Sequence, residues 1–121
     1  MFQNDTNKIE LVRGNSAIID ITPINEETRE PIRLANGDVV LFTIKTYMGF
    51  KKFQKVLTNQ DYDSEEDDSL NLILEPEDTI NWGIGDYYYD CLLIKADGTA
   101  NTFISSSIRI LKALGVYTDL N

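Results

Sequence analysis

Nine residues dense in aromatic and aliphatic side chains, Tyr87 to Lys95, run almost directly into Asp97-Gly98. Such a composition suits a pleated, half-buried strand. Asp-Gly is the strongest short-range signal for a chain reversal between two strands. A partner strand must therefore follow at once, and Thr99 to Leu111 supplies it. Trp82-Gly83-Ile84-Gly85 punctuates the other end of the long strand. An isolated hairpin is marginal in water, so the rest of the chain has to cover its apolar face.

The preceding residues offer further strands for that purpose. Lys8 to Val12 alternates, and Arg13-Gly14-Asn15 follows as a turn. In Ser16 to Ile24, period-2 patterning buries Ala17, Ile19 and Ile21 and wets Asp20 and Thr22, with Ile18 the exception on the wet face. Asn25 to Gly37 is a long charged connection that reaches the core through Ile32 and Leu34. Val39 to Thr46 puts Val40, Phe42 and Ile44 on one apolar face and Val39, Leu41, Thr43 and Lys45 on a mixed one. Tyr47 to Lys52, with Gly49 and two lysines, reads as a turn, and Phe53 to Leu57 as a short edge strand. Ser69 to Glu75 turns Leu70, Leu72 and Leu74 inward. Pro76 suits the first position of a helix, so 76–81 is expected to form one helical turn. Ile108 and Ile110 alternate with Ser107 and Arg109, and a bulge within Ser105–Ser107 is expected to correct the phase. About seven strands with turn signals at roughly 8–12-residue spacing, and no helical apolar stripe, predict an all-β sandwich of two sheets.

Size and charge narrow the function. A chain of 121 residues, 42% hydrophobic, has the length of one domain, 1–121, with a core sufficient to fold unaided. Residues 1–7 are expected to be disordered. The single cysteine, Cys91, permits no internal disulfide. The formal net charge of −9 opposes binding to nucleic-acid backbones or anionic membranes. The start lacks the pattern of a secretory signal, and no apolar run approaches the roughly 20 residues that span a bilayer. The chain contains no histidine. That removes Ser-His-Asp and Cys-His catalysis and any histidine-bearing metal site.

The remaining candidates for chemistry are weak. Asp61 to Asp68 holds six acids in eight residues. Read as an EF-hand loop from Asp61 it fails, with Glu66 where glycine is needed and Leu72 where glutamate is needed. A solvated, mobile loop over 58–68 that binds no metal is the expectation. Asp86 and Asp90 lie on one side of a strand, which alone does not make a pair that faces across a substrate. Cys91 falls in phase with Tyr87, Tyr89 and Leu93, all expected in the core, and an inert buried thiol follows. Tyr62, Tyr87, Tyr88, Tyr89 and Trp82 could form a sugar-binding platform, although Tyr87 and Tyr89 fit core positions whose hydroxyls reach the rim. If Tyr87, Tyr89, Cys91 and Leu93 point inward, Tyr88 and Asp90 point outward with the apolar Leu92 and Ile94. Leu41 joins them from the neighbouring strand. Tyr88, Leu92, Ile94 and Leu41 are therefore the candidate interface, for a second copy or another protein, unless Ile32 and Leu34 of the 25–37 connection cover the patch.

The order of motifs also carries a resemblance. Ile9-Glu-Leu-Val-Arg-Gly-Asn-Ser16, Val40-Leu-Phe-Thr-Ile-Lys45, Leu72-Ile-Leu-Glu-Pro-Glu-Asp-Thr79 and Gly85-Asp-Tyr-Tyr-Tyr-Asp-Cys-Leu-Leu93 with its Asp-Gly hairpin follow one another over most of residues 8–111. This order resembles the immunoglobulin-like β-sandwich domains of tailed-phage and prophage structural proteins. The group in mind is the N-terminal domain of baseplate upper proteins from phages of Gram-positive bacteria. The acidic run departs from that pattern, and no fibre-like extension follows residue 121. The resemblance implies a structural module of the virion or its tail, made in the bacterial cytoplasm. Such a module has no enzymatic activity and no cofactor, and it acts by assembly with itself or with other phage proteins. The alternative is a bacterial module that binds carbohydrate or another ligand.

Overall fold

A computed structural model describes residues 7–113, and the expected disorder of residues 1–7 falls almost wholly outside them. Seven strands make up nearly half of the described chain: β1 (Ile9–Val12), β2 (Ala17–Ile21), β3 (Val39–Lys45), β4 (Lys51–Leu57), β5 (Leu70–Leu74), β6 (Gly85–Ile94) and β7 (Ala100–Leu111). They form a five-stranded sheet in the order β1-β7-β6-β3-β4 and a two-stranded sheet of β2 and β5. The fold is thus an all-β sandwich. Its second and fifth strands share one sheet, while the third, sixth and seventh share the other with the fourth at its edge. Immunoglobulin-type sandwiches likewise put the second and fifth strands in one sheet and the third, sixth and seventh in the other, although here β1 lies beside β7. All pairings are antiparallel except that of β1 with β7, which is parallel.

The inward faces follow the period-2 pattern. Val40, Phe42 and Ile44 of β3, Leu70, Leu72 and Leu74 of β5, and Ile108 and Ile110 of β7 have no exposed surface. Tyr87, Tyr89, Cys91 and Leu93 of β6 are buried among them, with Ile19 and Ile21 of β2. Ile18, on the other face of β2, is 67% exposed. Aromatic rings fill one end of the core. Trp82 meets Phe53 at 6.0 Å and Tyr87 at 5.7 Å, and Phe42 meets Tyr89 at 5.4 Å between ring centroids. These tilted and edge-on contacts suit ring quadrupoles.

Buried hydroxyls find partners at the rim. Tyr87 donates to the Gly83 carbonyl at 2.8 Å, a bond back across the start of β6 that immunoglobulin-type sandwiches also use. Tyr89 donates to the Asn7 carbonyl. The helical turn α1 (Pro76–Thr79) starts on its proline and buries Thr79, whose hydroxyl accepts the Gly14 amide at 2.8 Å. No buried side-chain polar atom among the described residues lacks a partner.

One feature of the ladder differs from expectation. The bulge between β6 and β7 lies at Phe103, not within Ser105–Ser107: Cys91 pairs with Ile104 but Leu92 with Thr102. The serines need no correction, because Ser106 takes the inward place opposite Tyr89 in regular register. The extra residue is instead one whose ring packs against the core. The 25–37 connection reaches the core as expected and is ordered locally. The Asn25 carboxamide accepts from Glu27 and Thr28 amides, and Ile24 and Pro31 form a bridge that closes a small loop.

Candidate functional site

The outer face of the five-stranded sheet divides into two halves. Near the β6–β7 hairpin, Leu41 pairs with Leu92, Val39 with Ile94, and Val56 lies opposite Leu41 on β4. These five side chains form one apolar patch two rows deep. Val56 is 53% exposed, and Leu41, Leu92, Ile94 and Val39 are partly buried. The next row, Asp90 with Thr43 and Ser105, is polar. Beyond it Tyr88, 54% exposed, stands between Lys45 and Ser107. The structure thus brings Leu41, Leu92 and Ile94 together and sets Tyr88 apart. It also removes the intramolecular cover: Leu34 is buried in the core, and Ile32 borders a recess on the inner side with Leu93 and Phe103.

The five aromatic residues weighed as a sugar platform are dispersed. Trp82, Tyr87 and Tyr89 lie in the core and Tyr88 lies on the outer face. Tyr62 holds the 58–68 segment down: its hydroxyl accepts the Leu34 amide at 2.9 Å and its ring lies 4.0 Å from the Arg33 guanidinium carbon. That segment starts as a capped 3-10 turn over Asn59–Asp61, and its main-chain carbonyls at Ser64 and Asp67 accept from Arg33. Among the described residues, no three carboxylate or thiol groups are grouped so as to hold a metal ion.

The ionisable groups are shaped by structure more than by chemistry. Burial pushes the Cys91 thiol up to about 12, and nearby Asp90 adds to the effect. So raised, the thiol is no nucleophile at neutral pH. Burial likewise pushes Tyr89 up to about 12. Asp86 is held below the usual carboxylate range by its hydrogen bond from Arg109 at 2.8 Å, an exposed pair on the outer face. Asp86 is therefore engaged by a cation and not free to serve as a base with Asp90.

One surface escaped the pattern analysis. The β3–β4 turn carries Tyr47, Met48 and Phe50, exposed by 76%, 68% and 67%. Tyr47 lies with Ile84, Asp86 and Tyr88 along an open groove beside the turn. The signal was present in the sequence, since three large apolar residues in four positions contradict the polar composition of an ordinary turn. No helix among the described residues is long and apolar enough to cross a membrane. No protein-family model matches the chain, and no curated protein matches it.

Proposed function

We propose that this protein is a non-enzymatic structural module of the phage or prophage type, associated with a baseplate or tail, that works by protein–protein assembly. The observation that carries the reading is the apolar patch of Val39, Leu41, Val56, Leu92 and Ile94 on a sheet face whose expected intramolecular cover packs on the opposite side. Contiguous apolar surface on a folded domain marks a contact with another protein. The strand partition and the tyrosine bond at the start of β6 accord with the immunoglobulin-like resemblance of the sequence. The partners are a second copy or neighbouring virion proteins, and the module forms in the host cytoplasm. Light scattering tests the reading. Wild type should associate, and Leu92→Glu/Ile94→Lys should remove the part of that association that runs through this face while leaving the fold intact. A folded wild type that stays monomeric at high concentration and binds no tail protein would overturn it.

One observation favours the second reading, a carbohydrate-binding module. The groove lined by Tyr47, Ile84, Asp86 and Tyr88 has the aromatic faces and carboxylate that sugars use. Saturable shifts of the Tyr47 and Tyr88 ring resonances on titration with oligosaccharides would support it.

A further inference from the structure

The described chain is electrically polar along its length. Residues 45–55 contain Lys45, Lys51, Lys52 and Lys55 and no acid, whereas residues 58–68 contain six acids and no base. Four of the eleven basic residues thus cluster around one hairpin in a chain of net charge −9. Lys45, Lys51 and Lys52 lie at the β3–β4 turn, the acids follow the far end of β4 at Leu57, and the strand between them spans about 20 Å, with Lys55 alone towards the acidic end. None of the four lysines has an ion-pair partner among the described residues.

Each charged segment borders exposed apolar surface. The lysines frame the projecting Tyr47, Met48 and Phe50. The acids frame a recess on the outer face of the two-stranded sheet, where Ile18 lies with Asp20, Asp63, Asp67 and Asp68. Ile18 pairs across the strands with Ile73, and the two are 67% and 46% exposed. A basic-rimmed apolar projection and an acidic recess with the exposed Ile18 at its edge, beside Ile73, are complementary in charge, and each offers apolar surface next to its charges.

Resting on the assembly reading above, we propose that the β3–β4 tip of one copy docks on the Ile18/Ile73 face of the next, a head-to-tail contact between copies of this chain. The two surfaces differ, so the contact is heterologous and propagates into a ring or a filament instead of stopping at a two-fold dimer. Complementary charge supplies specificity and speeds encounter, and the apolar centre supplies the burial.

Charge reversal tests the contact. Lys51→Glu/Lys52→Glu reverses the tip and Asp63→Lys/Asp68→Lys reverses the recess, and all four positions are exposed, so the fold is retained. In sedimentation velocity on the full chain, wild type should associate, at least about tenfold more weakly when salt shortens the Debye length from about 14 to about 4 Å. Each reversed variant alone should lose the salt-sensitive association, keeping at most the contact through the Leu92/Ile94 face, and an equimolar mixture of the two should recover it, because reversed tip then meets reversed recess. Failure of the mixture to recover, or a monomeric wild type, would overturn the contact. An oligomer that survives both reversals but dissolves in Leu92→Glu/Ile94→Lys would overturn it too, while leaving the assembly reading in place. Flotation of a monomeric wild type with phosphatidylcholine–phosphatidylserine vesicles, lost in Lys51→Glu/Lys52→Glu, would show the tip to be a lipid-binding element and overturn the proposal.

Discussion

Two hairpins of the large sheet are built on one backbone plan and carry opposite side chains. In the β3–β4 turn the Gly49 amide bonds the Thr46 carbonyl and the Thr46 amide bonds the Phe50 carbonyl, both at 2.8 Å. In the β6–β7 turn the Gly98 amide bonds the Lys95 carbonyl and the Lys95 amide bonds the Thr99 carbonyl, again at 2.8 Å. Gly49 and Gly98 close the two turns at φ of 91° and 95°, where a side chain is strained. Beyond the glycine, this geometry dictates little. The β6–β7 tip uses that freedom conventionally, with Asp97 accepting from the Thr99 amide and hydroxyl. The β3–β4 tip spends three positions on exposed Tyr47, Met48 and Phe50, which no fold requirement explains. The difference separates what the backbone needs from what a partner needs.

The largest expected effect sets the scale for a position that folding does require. Tyr89 packs on Phe42 in the core of the same sheet, and Tyr89→Ala should cost about 3–5 kcal/mol in chemical denaturation. A loss under about 1 kcal/mol would contradict its inward phase. Next come the paired glycines. Nothing lies within 4 Å of a Cβ added at either, so Gly49→Ala and Gly98→Ala should each cost only the backbone strain, about 1–2 kcal/mol. Markedly unequal losses would show that the two turns are not energetically alike.

Acid should then tell the tips apart. Backbone amide bonds from Ala35 and Ala96 hold Asp38 below its ordinary range, and hydrogen bonds from Thr99 do the same for Asp97. A lowered folded value means that the stabilisation is complete above the unfolded value of 3.8 and is lost as pH falls through the folded one. The β3–β4 tip is tied instead by the non-titrating Thr46 hydroxyl, which accepts the Phe50 amide at 3.2 Å. Below that value, amide exchange at Ala96 and Thr99 should depart from the intrinsic pH dependence while that at Phe50 follows it. The smallest effect on stability belongs to Tyr47→Ser/Met48→Ser/Phe50→Ser. The melting free energy should move by no more than about 0.5 kcal/mol for each exposed position, while the head-to-tail association in sedimentation is lost.

Most of the sandwich was legible because its strands alternate cleanly: Val40-Phe42-Ile44 and Leu70-Leu72-Leu74 each commit one face to the core. Phe53 to Leu57 was legible as an edge because its polar residues leave no second face to bury. The parallel pairing of β1 with β7 was not, since Ile9 to Val12 would suit either direction, and only the three-dimensional path selects Ile108 to Leu111 as partner. The bulge was misplaced because a run of serines looks like the weak point of a strand, whereas the ladder is broken where Phe103 gains contact with the core. Leu92, Ile94 and Leu41 could be read as an outward patch from phase alone. The split between that patch and Tyr88 depends on Asp90, Thr43 and Ser105 meeting from three strands, which no single stretch reveals.

The parallel run of β1 beside β7 has a mechanical meaning. Ile9 lies level with Ile108 and Val12 with Leu111, and the Arg13 amide bonds the Leu111 carbonyl at 2.9 Å. Tension that enters ahead of Ile9 and leaves beyond Leu111 drags these two strands in opposite directions along their length. Their hydrogen bonds lie across the pull and share the load together, so the ladder must shear as a unit where a hairpin pulled at its open end would unzip one bond at a time. Whatever pulls on the two ends of the described chain therefore loads this seam in shear.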